Sequence, residues 1–144
     1  MQRWLIANDH AGLPLRQPVL DTLRALGHAV IDLGTATVDS VDYPDFAHAL
    51  ARRLAAGEAE RGVLICGSGV GVSIAANRHR GVRAALCSEP LTATLARAHN
   101  DANVLCLGAR LTGPGMAEAI VRAFEAGPYE GGRHQRRVEK IEPA

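Results

Sequence analysis

A chain of 144 residues can bury one sizeable apolar core without disulfides or metals to staple it. Its 47% hydrophobic content includes only 3% aromatics, which points to Ala, Leu, Val and Ile packing in an α/β domain. A formal net charge of +1 excludes a general polyanion binder, and three widely spaced cysteines exclude a disulfide framework and suit a reducing compartment.

The amino terminus runs directly into a strand, and no stretch approaches the ~18 apolar residues of a membrane span. The expectation is therefore a soluble, cytoplasmic protein. Trp4-Leu5-Ile6-Ala7 reads as a first strand with Asp9-His10-Ala11-Gly12 as its exit loop. Leu15, Val19, Leu23 and Leu26 recur at helical spacing up to Gly27, with Pro18 awkward inside them. Ala29-Val30-Ile31 is a second strand, followed by a polar loop from Gly34 to Asp42. Phe46, Leu50 and Leu54 mark a helix with Pro44 in its first turn and Gly57 beyond its end. Val63 to Cys66 is a third strand, and a glycine loop leads into a helix expected over 72–79. Val82 to Cys87 is a fourth strand, followed by a helix opened at Ser88-Glu89-Pro90 and carrying Leu91, Leu95 and Ala98. Val104 to Leu107 is a fifth strand, and Met116, Ile120 and Phe124 line a helix that stops near Gly127.

Strands alternating with helices at this spacing predict one domain over 1–144, a parallel five-stranded sheet covered on both faces. Right-handed crossovers then place every loop that follows a strand on one edge. The tail "YEGGRHQRRVEKIEPA" has a Gly-Gly break and few apolar residues, so it frays or lies against another surface, a second subunit being the natural candidate.

The residues able to do chemistry cluster at predicted strand ends. Gly67, Gly69 and Gly71 follow the third strand without the Gly-Lys-Ser/Thr ending of a triphosphate loop and without dinucleotide spacing, which leaves a backbone anion cradle. Cys66 stands just before that loop, where the positive end of a helix would favour a thiolate able to act as base or nucleophile. Cys87 and Cys106 lack such a loop and read as packing groups. Asp9 and His10 suit acid–base work, although a cap and a surface histidine are the plainer reading. His99-Asn100-Asp101 closes the fourth helix and is equally readable as a cap. Arg133 and Arg137 would share a helix face able to grip a phosphate, with Arg110 as a further partner; a solvated basic face is the alternative. The six histidines show no paired ligand spacing and the cysteines no C-x-x-C, so no metal is expected.

Taken together, "NDHAG", "DYPDFA", "ICGSGVGVSIAAN", "HNDANVL" and "YEGGRHQRRV" resemble the type B ribose-5-phosphate isomerases, a family that includes galactose-6-phosphate and allose-6-phosphate isomerases. The resemblance implies a Rossmann-like sandwich that forms a homodimer, or a tetramer built of such dimers, with each active site at the subunit interface and the tail packed on the partner. It implies interconversion of D-ribose 5-phosphate and D-ribulose 5-phosphate without metal or cofactor. Carried over by motif, Cys66 is the base, and the backbone amides of Gly67, Ser68, Gly69, Val70 and Gly71, with the Ser68 hydroxyl, hold the enediolate. His99 opens the sugar ring with help from Asp9. His10, Arg133 and Arg137 bind phosphate, Arg110 adds charge, Asn100 contacts the sugar and Tyr43 lines the site. His99, Asn100 and Arg110 are expected as a group on the subunit opposite the Cys66 loop. Some members use a glutamate where this chain has Val72, which sorts it with the cysteine branch, and Ser68 stands where relatives often have threonine. Hexose 6-phosphates, or a binding module that holds a phosphorylated ligand without reacting it, are the alternatives. Nucleic-acid binding is disfavoured by the near-neutral charge and scarce aromatics.

Overall fold

The computed structural model describes residues 1–144. Its order is β1 (Arg3–Asn8), α1 (Leu13–Ala25), β2 (Ala29–Asp32), α2 (Tyr43–Ala55), β3 (Arg61–Cys66), α3 (Val70–Ala76), β4 (Ala84–Leu86), α4 (Pro90–Asn100), β5 (Val104–Gly108), α5 (Pro114–Ala126) and α6 (Arg133–Glu139). The five strands form one parallel sheet in the order β2-β1-β3-β5-β4. From Trp4 to Asn8, Gly62 to Cys66 and Val104 to Gly108 every residue is buried. Central parallel strands are covered on both faces and are apolar here except at Asn8, whose side-chain amide is hydrogen-bonded.

Alternation along the strands divides the core in two. Trp4, Ile6, Val63, Ile65, Leu105 and Leu107 face α1, α4 and α5, where Leu15, Leu23, Ala93, Ile120 and Phe124 meet them. Leu5, Ala7, Leu64, Cys66, Val104 and Cys106 face α2 and α3, against Leu50, Ala51, Val72 and Ala76. The result is the expected three-layer α/β/α sandwich, with Cys66 at the end of β3 on the α2–α3 side.

Two local expectations need correction. The helix after the glycine loop runs from Val70 to Ala76, so Gly71 belongs to its first turn rather than to the loop. It stops early because the Asn77 side chain turns outward to clamp β4, donating to Ala84 O at 2.9 Å and accepting from Ala84 N at 2.7 Å. The fourth strand shrinks to Ala84–Leu86, an edge strand paired only with β5. The tail forms the expected helix, α6, and its buried residue, His134, lies in its own chain against His99 of α4. Pro18 is accommodated inside α1, which is preceded by a 3-10 turn over His10–Gly12 capped by the Asp9 side chain.

Candidate active site

β1 and β3 are neighbours, yet the chain leaves them toward opposite sides of the sheet and opposite helical layers. Their exit loops diverge and open a crevice at the carboxyl edge, the position where open α/β sheets hold ligands. A cavity of about 380 Å³ occupies it, bordered by Asp9, His10, Tyr43, Cys66, Ser68 and Arg110 among others. Two close approaches shape it. The Asp9 amide donates to Ile65 O at 3.2 Å, and Gly12 packs so tightly on β3 that a Cβ there would lie 2.4 Å from the same oxygen. On the other wall the Tyr43 ring fills the space over Gly71, where a Cβ would lie 2.3 Å from it.

Around Cys66 the backbone is turned inward. Gly69 adopts φ 79°, a left-handed conformation that favours glycine, and its amide donates to Cys66 Sγ at 3.1 Å. The Val70 amide donates to Ser68 Oγ at 3.2 Å, so Gly69 and Val70 are already engaged. The amides of Gly67, Ser68, Gly71 and Val72 donate to no acceptor in the chain. The amides of Gly67, Ser68 and Gly71 border the cavity that holds Cys66 and are able to receive an oxyanion, whereas those of Gly69 and Val70 bond within the loop. Asp9 is 7% exposed and its Oδ1 accepts from the Gly12 amide at 2.9 Å. His10 Nδ1 accepts from the Val41 amide at 3.1 Å, which in the neutral ring puts the proton on Nε2 as a donor. Arg110 follows β5, and its amide donates to Gly67 O at 3.0 Å. Burial pushes the Cys87 thiol up to about 11 and the Cys106 thiol higher still, as befits packing groups.

The remaining site residues lie elsewhere. α4 runs antiparallel to the strands, so His99 and Asn100 at its end stand at the amino edge, across the sheet from Cys66. Arg133 and Arg137 are exposed on α6, which packs on α4. Residues that follow strands gather on one edge and residues that precede them on the other, so the expectation of a single edge fails for these four. Arg110, by contrast, borders the same cavity as Cys66 and does not group with His99 and Asn100.

The sequence reading also passed over three residues. His134 stacks on His99, ring centroids 4.5 Å apart and planes 14° from parallel, with Glu130 beside both. These groups come together although the histidines have no paired spacing; Glu130 and His134, four apart, were the available signal. Buried Asn8 donates to Asp9 O at 3.0 Å and Thr35 O at 2.9 Å, tying the polar loop to the site.

A sequence profile described as Ribose/Galactose Isomerase matches residues 5–141. The chain belongs to the ribose/galactose isomerase family. Among its relatives, ribose-5-phosphate isomerase B of Escherichia coli K12 is 48% identical over 141 residues, covering 98% of this chain and 95% of that protein. A solved ribose 5-phosphate isomerase from Thermotoga maritima superposes with a TM-score of 0.96 at 48% identity, covering 99% of each chain. A type B ribose 5-phosphate isomerase from Trypanosoma brucei gives 0.95 at 46%, covering 98% of this chain and 97% of that one. Membership of this family makes the chain an aldose–ketose isomerase of sugar phosphates. No helix is long and apolar enough to cross a membrane.

Proposed function

We propose that residues 1–144 act as one isomerase domain that interconverts D-ribose 5-phosphate and D-ribulose 5-phosphate. The observation that carries this reading is Cys66 in a cavity with three unengaged backbone amides, beside Asp9, His10 and Arg110. The Cys66 thiolate removes the C2 proton of the open-chain aldose, and the electron pair moves into a C1–C2 double bond as charge passes to O1. The amides of Gly67, Ser68 and Gly71 would hold that charge, each such donor contributing about 3 kcal/mol to the transition state. Return of the proton to C1, with the O2 hydroxyl proton passing to O1, gives the ketose. The Ser68 hydroxyl lies beside this path and Tyr43 covers it. This sequence of steps consumes and releases nothing but protons, so it calls for no cofactor.

Ring opening by His99, sugar contact by Asn100 and phosphate binding by Arg133 and Arg137 require a second copy of the chain. These residues stand at the opposite edge from Cys66, and a two-fold axis brings the amino edge of one copy against the carboxyl edge of the other. Val70, Ile74, Leu91 and Leu95, exposed on α3 and α4 around edge strand β4, supply apolar surface for such an interface. His10 and Arg110 then complete the phosphate site from the Cys66 side. Held far from the reacting carbons, the phosphate positions C1 and C2 without entering the chemistry. Three buried, unpaired cysteines suit a cytoplasmic setting.

The test is conversion of ribose 5-phosphate to ribulose 5-phosphate under chelator, wild type against Cys66→Ala. Turnover that survives chelator and collapses in the variant supports the thiolate mechanism. Folded wild type that turns over hexose 6-phosphates and not ribose 5-phosphate overturns the substrate assignment.

A further inference from the structure

Beside the proposed ring-opening histidine, His99, lie two further metal-ligating side chains, Glu130 and His134, that the isomerase chemistry does not use. One ring nitrogen of His99, a Glu130 carboxylate oxygen and one ring nitrogen of His134 all lie within 4.8 Å of one another. Glu130 Oε2 stands 3.5 Å from His134 Nε2 and 4.0 Å from His99 Nε2. His134 is only 7% exposed, and its buried Nε2 has no hydrogen-bond partner. A polar atom orphaned in this way is costly unless something fills its place. The arrangement is anchored from behind. The Glu130 amide donates to Ala98 O at 3.0 Å, and Gly131 and Gly132, at φ 64° and 55°, turn the chain so that His134 reaches back under His99.

We propose that His99, Glu130 and His134 bind a borderline divalent transition-metal cation, with Zn²⁺ the best match, and that loading this site switches the isomerase off. Two imidazoles and a carboxylate are the donor set zinc takes when a fourth position stays open to water. In a tetrahedral site with bonds of about 2.0–2.2 Å, donor atoms stand about 3.3 Å apart, so the Glu130 separations need to close by well under 1 Å and the His99 ring must tilt out of its stack on His134 to aim its nitrogen at the same point. Glu130 is exposed and the His99 side chain 39% exposed, which leaves both free to make that movement. The inhibitory half rests on the reading of His99 as the ring-opening residue, because a metal on Nε2 removes the nitrogen that would move the proton.

The site is tested with Zn²⁺ alone, titrated into the full chain against a chromophoric chelator. A Cys66→Ala background removes thiol coordination, and Glu130→Gln, at an exposed position, leaves the fold intact. Affinity should fall at least tenfold in Glu130→Gln, and Co²⁺ should give a tetrahedral visible spectrum that this variant loses. Absence of binding, or binding untouched by Glu130→Gln, overturns the site. In the activity arm, Zn²⁺ should inhibit the chain with intact Cys66, chelator should restore turnover, and Glu130→Gln should need at least tenfold more Zn²⁺. Zn²⁺ bound at the site with turnover unaffected overturns the switch. A chain inactive in metal-free buffer refutes the isomerase reading and with it the switch, while the binding arm still decides the site.

Discussion

Replacing Gly12 with alanine should damage the site without touching a residue that meets substrate. Gly12 has φ −81° and ψ −10°, a conformation open to any L-residue, so the whole effect is steric. Its new Cβ would lie 2.4 Å from Ile65 O, 2.7 Å from Ile65 C and 3.1 Å from Asn8 Cβ. The first two are main-chain atoms of a central strand and cannot swing aside. Ordinary contact begins near 3.4 Å, so the Asp9–Gly12 turn must lift by about 1 Å. Overpacking of this kind costs about 1–3 kcal/mol, or roughly 3–10 °C in Tm for a domain of this size. The lift also pulls at the bond from Asp9 N to Ile65 O and carries Asp9 and His10 away from Cys66. A misplacement of about 1 Å in a catalytic constellation costs about 100-fold in rate. Thermal unfolding and ribose 5-phosphate turnover on the same preparation read both effects. Gly115→Ala is the control: it sits in α5 with no heavy atom within 4 Å of the new Cβ and should hold or raise Tm. Gly12→Ala with wild-type Tm and turnover would refute the claim that this contact sets the distance between the two loops.

Two further outcomes follow from the geometry. Cys66→Ala and His99→Asn should each be inactive alone, yet refolded together at equal ratio they should recover about a quarter of wild-type activity, because a two-fold mixed dimer keeps one intact site. No recovery, with mixed dimers present by native mass spectrometry, would refute the shared site. Burial first, then the neighbouring His48 and Arg52, holds the His79 pKa below the ordinary histidine value. The unfolded chain therefore takes up a proton near pH ~6.5 that the folded chain resists, so this contribution is complete above that pH and is lost as pH falls through it. Tm should drop between about pH 7 and pH 5 more steeply in wild type than in His79→Gln, and parallel profiles would remove His79 as the cause.

Most of the architecture is legible in the sequence. Trp4–Ala7, Val63–Cys66 and Val104–Leu107 are apolar without interruption, which only strands buried on both faces tolerate. The helices between them carry periodic Leu and Ala with Pro or Gly at their ends. Cys66, Asp9, His10 and Ser68 could be placed together because each ends or follows a strand, and a parallel sheet gathers such positions on one edge, where Arg110 also stands although the family resemblance set it on the opposite subunit. Chain order alone carries that information. The stop of α3 at Ala76 was hidden, because it depends on the Asn77 clamp to a strand seven residues on.

Tertiary structure alone decided the rest. Strand order sets β1 beside β3 and so opens the crevice at Cys66, and pairing partners are invisible in periodicity. The close approaches at Gly12 and Gly71 exist only where a second element arrives. The meeting of His99 with Glu130 and His134 depends on α6 folding back onto α4. His99 and Cys66 stand on opposite edges for a geometric reason: one precedes a strand, the other ends one, and every strand points the same way. Local sequence records which residues prefer strand, helix or turn, but distances between segments far apart in the chain are set by how the layers pack.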